Sequence, residues 1–344
     1  MDFLGFIIIL IKVLVIFAAT LLTVLIMTLA ERRVSAFMQG RLGPNRVGPQ
    51  GLLQPIADGI KFLMKEDIIP AGVDKPIFIL APAILLIPAL MTFAVIPFGS
   101  DIILFGRQIP LQIADVNVGI LYILALTSIG VYGIVLAGWS SNSKYSLLGG
   151  LRSSAQLISY ELVMGLAVVS IILLSGSLKL NDIVADQQGY FLSWNIFKQP
   201  LAFIIFLVAV YAETNRLPFD LSEAEQELVG GYHTEYSSMK FAMFFMAEYA
   251  NMVTAAALTV TLFFGGWDVP LVNEISLGIW GTVLSVLSFI LKMGFFLFLF
   301  IWVRWTFPRF RYDQLMKLGW KVMLPLALFN IFVTAGILTI RALA

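Results

Sequence analysis

The chain has no cysteine and only one histidine, His233, in 344 residues. Without thiolates it can form no disulfide, iron–sulfur cluster or thiolate metal site, and one imidazole cannot make a bis-histidine haem site. Electron carriers, if any take part, belong to other chains. Charge is also scarce, at 12% of residues against 60% hydrophobic, with a mean hydropathy of +0.93. Those values lie far outside the soluble range and make this a polytopic membrane protein, with no nucleic-acid partner expected. No linker, low-complexity stretch or internal repeat divides it. It reads as a single transmembrane helical domain, 1–344, and the expected fold class is all-α.

Crossing about 30 Å of hydrocarbon takes roughly 20 apolar residues. Runs of that kind fall near 4–29, 77–98, 119–139, 156–175, 194–212, 241–264, 282–303 and 321–341. Eight transmembrane helices are therefore expected, because a lipid-exposed backbone must satisfy its own hydrogen bonds. The first run has no basic leader and no small-residue cleavage site, so it reads as a span rather than a removable signal.

Basic residues set the orientation. Of the 22 lysines and arginines, Lys12 and Lys292 lie within spans, and only Arg107, Lys179, Lys198 and Arg341 fall on one side. All the others occupy the loops 31–76, 140–155, 213–240 and 304–320 or their margins, which marks these as the inner side and sends both termini outward. Within the first of these loops, GRLGPNRVGPQG (40–51) is too rich in glycine and proline for a regular helix. The following segment places Leu52, Leu53, Ile56, Ile60, Leu63 and Met64 near helical periodicity, with Gln54, Asp58, Lys61 and Lys65 between them. It reads as an interfacial amphipathic helix.

Between Tyr211 and Tyr249 the carboxylates Glu213, Asp220, Glu223, Glu225, Glu227, Glu235 and Glu248 outnumber the cations Arg216 and Lys240. Leu217, Pro218, Phe219, Leu221, Leu228 and Val229 are interleaved with them, so the loop should pack down. Glu161 sits about two turns inside the fourth span, where an ionised carboxylate costs roughly 2.5–3.5 kcal/mol. Glu248 holds the matching place in the sixth. Buried acids joined to further acids suit a proton relay, because desolvation and mutual repulsion keep some of them protonated near neutrality. The plainer alternative pairs Glu161 and Glu248 with bases that pin the helices together, Lys292 being the obvious candidate. Phe241, Phe244, Phe245 and Met246 form an aromatic entry to the sixth span, usually core but also suited to a flat apolar ligand.

The segments ERRVSAFMQGRLGPNRVGPQGLLQPIADGIKFLMKE, SNSKYSLLGGLRSSAQLISYE, ETNRLPFDLSEAEQELVGGYHTEY and RWTFPRFRYDQLMKLGWK resemble, in the same order, those of one family of membrane subunits of respiratory NADH:quinone oxidoreductase, complex I. Its members are lettered H or, in mitochondria, numbered 1. The resemblance implies a membrane-arm subunit that docks the peripheral redox arm and encloses most of a ubiquinone tunnel, entered between the first span, the amphipathic helix and the sixth span. It puts tunnel-lining roles on Arg32, Arg41, Asp58 and Phe245, with Arg216 nearer the quinone headgroup. A buried acidic connection falls on Glu161, Glu213, Glu248, Asp220, Glu223, Glu225, Glu227 and Glu235, and Arg304 and Arg309 match the docking region. NADH, FMN and iron–sulfur clusters would reside in partner subunits, and lipid would surround the chain. The implied location is the bacterial inner membrane with periplasmic termini, or alternatively the mitochondrial inner membrane. Two rivals stay open: the homologous membrane component of an energy-converting hydrogenase-type complex, and a proton-coupled solute transporter.

Overall fold

The computed structural model describes residues 3–104, 107–221, 228–271 and 278–343. Its helices are α1 (Phe3–Met38), α2 (Gln54–Met64), α3 (Lys75–Met91), α4 (Gly119–Ser140), α5 (Lys144–Ser175), α6 (Leu180–Ala185), α7 (Asn195–Lys198) and α8 (Pro200–Glu213). After the acidic loop come α9 (Ser238–Phe263), α10 (Ile279–Thr306), α11 (Tyr312–Lys317) and α12 (Leu324–Leu343). A π-helical stretch, Leu318–Met323, joins the last two. A short antiparallel hairpin, β1 (Ile102–Leu104) with β2 (Arg107–Ile109), is the one sheet among the described residues.

Among the described residues, seven helices are long and apolar enough to cross a membrane. The eighth expected crossing, 194–212, is met by α7 and the 14-residue α8. At 1.5 Å per residue α8 is about 21 Å long, shorter than the hydrocarbon layer. The break falls at Gln199–Pro200, where proline brings no N–H and starts a new helix.

Segment 144–155, expected as loop, is instead the first third of the 32-residue α5. Its glycines serve close packing rather than a turn. A Cβ on Gly149 would lie 2.8 Å from the Gly231 backbone, and one on Gly138 of α4 would lie 2.6 Å from the Ser146 carbonyl. Small residues at such points let helices approach backbone to backbone where lipid gives no hydrophobic drive. α3 thus packs on α4, α4 on α5, and α5 on α8 and α12; α9 lies against α3 and α10, and α1 runs along α9 and α10. The amphipathic helix forms where its periodicity predicts. Ile56, Ile60, Leu63 and Met64 remain exposed on this chain, as an interfacial helix requires.

Two polar networks hold the outer half. Asn330 of α12 donates to Ser170 of α5 (2.9 Å) and to Gln199 (3.0 Å), which in turn donates to Thr334 (2.8 Å). Lys292 of α10 donates to the carbonyls of Phe264 (2.9 Å), Gly266 (3.1 Å) and Asp268 (2.7 Å), with its ammonium 4.6 Å from the Trp194 ring centre. A cation beyond the last turn of α9 complements that helix's C-terminal dipole. Lys292 therefore serves the outer turn after α9, and the partner of Glu248 is a different residue.

Replacing Lys292 with methionine would strip those carbonyls of their shared donor at about 1–3 kcal/mol for each group left unsatisfied. Thermal denaturation of the assembled complex should show a lowered midpoint for Lys292→Met, with Lys292→Arg closer to wild type. Equal midpoints for all three would remove the capping role.

Candidate functional site

At its inner end α1 carries a buried stripe of Thr20, Val24, Met27, Glu31 and Ser35, a helical spacing that turns Glu31 into the bundle and Arg32 outward. Glu31 is 6% exposed and Arg216, from the loop after α8, is 5% exposed. Arg216 Nη1 donates to both oxygens of Glu31, at 3.0 and 3.2 Å. Its Nε forms an ion pair with Glu248 Oε1 at 2.6 Å, and its guanidinium lies 4.6 Å from the Tyr249 ring centre. Tyr249 in turn donates its hydroxyl to Glu31 Oε2 at 2.7 Å, and Arg304 of α10 closes the cluster with an ion pair to Glu31. Two guanidinium groups thus meet two carboxylates, and a buried ion cluster persists only when its charges are matched and hydrogen-bonded.

The pairing expected under the plainer reading is therefore present for Glu248, but through Arg216. Glu161 differs: among the described residues its hydrogen bond comes from the Ser128 hydroxyl of α4. It opens onto a lateral recess of about 940 Å³ lined with Leu124, Ile158, Leu162, Gly165, Leu166 and Leu324. Glu213, the last residue of α8, lies within electrostatic reach of Glu161. It faces two adjoining cavities of about 440 and 380 Å³, the first also lined by Glu248. Glu161, Glu213 and Glu248 are thus brought to one region.

The loop acids divide. Asp220 forms an ion pair with Arg309 at 2.6 Å, beside Phe219, whose ring is 5.4 Å from that of Phe310. Gln156 of α5 fastens this part of the loop by donating to the carbonyls of Ala212 and Phe219, each at 2.8 Å. Phe219, Leu221 and Leu228 are buried while Val229 is exposed, so the loop packs down at all but that point. Glu223, Glu225 and Glu227 lie outside the described residues. Glu235 is half-buried beyond the turn Gly231–His233. Next to it Tyr236 stacks on Phe78 at 4.0 Å. Burial pushes the Tyr236 phenol up to about 12 against the opposing pull of its Ser140 hydrogen bond, so it keeps its proton at neutral pH.

Of the residues assigned to a tunnel, Arg32 pairs with Asp58 at 2.6 Å, and Gln54 donates to Asp58 at 3.2 Å. Phe245 lies 4.7 Å from Phe241 and 5.7 Å from His233, and Phe241 reaches Phe62 of α2 at 6.1 Å. Together they form an aromatic path between the amphipathic helix and α9. Arg41 stands apart on the exposed turn after α1, bonded to Gln39 at 2.6 Å. Arg304 and Arg309, expected at a docking surface, are turned onto Glu31 and Asp220. Among the described residues no group of three or more His, Asp or Glu side chains is arranged to hold a metal.

Sequence reasoning missed Glu31 and Tyr249. Glu31 precedes Arg32 and Arg33, which suggests local pairing, whereas its partners lie 185 and 273 residues away. The signal available was its place in the apolar stripe of α1.

The family described as NADH dehydrogenase has a model that matches residues 11–335. An H-type membrane component of the NADH-quinone oxidoreductase of Geobacter sulfurreducens is 59% identical over 342 residues, covering 96% of this chain and 95% of that protein. The corresponding protein of Cytophaga hutchinsonii is 52% identical over 322 residues, covering 93% and 94%, and NADH-quinone oxidoreductase subunit 8 of Rhodothermus marinus is 57% identical over 326, covering 92% and 93%. With a match running from α1 into α12 and these identities over nearly the whole length of each relative, the chain belongs to the NADH dehydrogenase family.

Proposed function

We propose that this chain is the membrane-arm subunit of a proton-translocating NADH:quinone oxidoreductase. In this reading it forms much of the quinone-access tunnel, and a buried glutamate relay couples quinone reduction to proton movement. The observation that carries the coupling is Arg216, one cation shared between Glu31, at the end of α1, and Glu248, among the relay acids. The names of the relatives support the redox assignment. NADH, FMN and iron–sulfur clusters are placed in peripheral partner subunits, and ubiquinone is the substrate in the tunnel.

Reduction of the quinone takes two electrons, delivered by the partner subunits, and two protons, giving the quinol. Arg32, Asp58 and the Phe62–Phe241–Phe245 path flank the entry between α1, α2 and α9. A change of charge at the inner end of that path alters how tightly Glu31 holds Arg216. Two unit charges about 4 Å apart interact by about 4 kcal/mol at an effective dielectric of 20. Moving Arg216 toward or away from Glu248 is therefore enough to release or bind a proton there at constant pH. Glu213 and Glu161 follow in the relay, while Asp220, Glu223, Glu225, Glu227 and Glu235 supply its inner-side connection.

The recess in front of Glu161 supports a lateral exit. An intramembrane carboxylate facing lipid would be costly, and such groups face protein or water instead. The α4–α5 face is therefore assigned to a neighbouring membrane-arm subunit. Lipid covers the remaining apolar faces, and the chain sits in a bacterial inner membrane with both termini on the periplasmic side.

Mild extraction of the tagged chain should recover a flavin and iron–sulfur arm; a hydrogenase module, or no partner at all, would refute the assignment. In the assembled enzyme, Glu161→Gln should lower proton-coupled quinone reduction several-fold while NADH oxidation by an artificial acceptor at the peripheral arm continues. Normal coupled turnover would take Glu161 out of the relay. Arg216→Lys keeps the charge but not the fork that reaches Glu31 and Glu248 together. Quinone reduction should fall several-fold in an intact complex, and an unchanged rate would show that a shared guanidinium is not required.

A further inference from the structure

The two cavities beside Glu213 share a wall made of Thr127, Glu213, Thr214 and Asn251. Two of those four side chains are already committed to their own helices: Thr127 donates to the Leu124 carbonyl at 2.9 Å, and Thr214 donates to Val210 at 3.1 Å and Tyr211 at 3.2 Å. Glu213 Oε2 is buried with no hydrogen-bond partner among the described residues. A buried carboxylate oxygen bordering a polar cavity is satisfied by water, which needs two to four polar partners.

The cavities differ in character. The larger, about 440 Å³, adds Glu248, Asn215 and Tyr232 to the shared wall. The smaller, about 380 Å³, adds mostly apolar groups, among them Ile123, Met164, Val210 and Leu258. Asn251 stands at the boundary, three residues after Glu248 and so on the same face of α9.

We propose that the polar cavity holds a water chain joining Glu248 to Glu213 and that Asn251 is the residue that positions it. This rests on the relay reading of Glu213 and Glu248. The amide offers both a donor and an acceptor and does not titrate, so it orients water in either direction without trapping a proton. A proton leaving Glu248 passes to the adjoining water, and that water releases another to Glu213; the chain then reorients with no net change in water. The groups that set the field are Glu213 on α8, Glu248 on α9, Glu161 on α5, Tyr232 on the turn after the acidic loop, and Arg216. The apolar cavity stays dry and stops the chain from extending outward along α9.

The test compares Asn251→Leu, Asn251→Gln, Asn251→Asp and Glu213→Gln in the complete membrane-embedded complex. Asn251→Leu, nearly the same size, should lower coupled quinone reduction several-fold and enlarge the rate ratio between H₂O and D₂O, with the artificial-acceptor rate retained. Asn251→Gln should recover most of the coupled rate. Asn251→Asp adds a third acid to the chamber, raises the proton affinity of its neighbours and should move the pH profile toward higher pH. If Glu213→Gln is impaired but Asn251→Leu keeps the wild-type rate and isotope ratio, Asn251 has no positioning role. Should Asn251→Leu fail to assemble, an unmoved pH profile in Asn251→Asp overturns the proposal. Full activity in Glu213→Gln would instead refute the relay itself.

Discussion

A guanidinium shared by two carboxylates at the inner end of a membrane bundle constrains everything around it. Arg216 comes from the loop after α8, Glu31 from α1, Glu248 and Tyr249 from α9, and Arg304 from α10. Removing one partner from such a cluster leaves an uncompensated buried charge, a loss of about 3–5 kcal/mol. The four segments are consequently fixed relative to one another at the point where the acidic loop begins. α1, with much of its length exposed on this chain, depends on this inner cluster and on Lys12, which donates to the Gln112 carbonyl at 3.2 Å near the other end.

The same constraint separates what the sequence makes legible from what it does not. Hydropathy locates the membrane helices because each needs one continuous apolar run, and α2 is visible because its periodicity is local. Segment 144–155 misleads since Gly149 and Gly150 look like a turn, whereas Gly149 faces the Gly231 backbone within α5's own packing. The 194–212 run looks like an unbroken span because Gln199–Pro200 is one proline among many apolar neighbours. Composition is silent about both the break and the use of Gln199 as a partner for Asn330 and Thr334.

Site residues follow the same division. Glu161 and Glu248 stand out because a carboxylate within an apolar run is locally improbable. Glu31 escapes notice because it sits at a boundary where charge is ordinary, beside two arginines that it does not pair with. Its partner Arg216 lies 185 residues away, and such a contact is written in the fold alone. Lys292 is the converse case, a charge that draws attention as a counter-ion for the acids and is used to cap α9.

The polar groups of the outer half bear on where a proton in the proposed relay can go. From Glu248 to Phe263, α9 runs for about 22 Å at 1.5 Å per residue. Along it the hydroxyls of Thr259 and Thr261 donate to the carbonyls of Ala255 and Ala257, and Thr254 is held by Thr92. The network of Asn330, Gln199, Ser170 and Thr334 consists of amides and hydroxyls, which do not titrate near neutrality. Lys292 and Asp268, the buried ionisable groups nearest the outer face, lie beyond the end of that stretch. A proton arriving at Glu213 or Glu161 therefore meets committed, neutral groups in the outward direction and a recess of about 940 Å³ in the lateral one. Within this chain the inner half is built to change charge and the outer half to insulate it, which makes the α4–α5 face, where Glu161 opens, the side from which the relay continues.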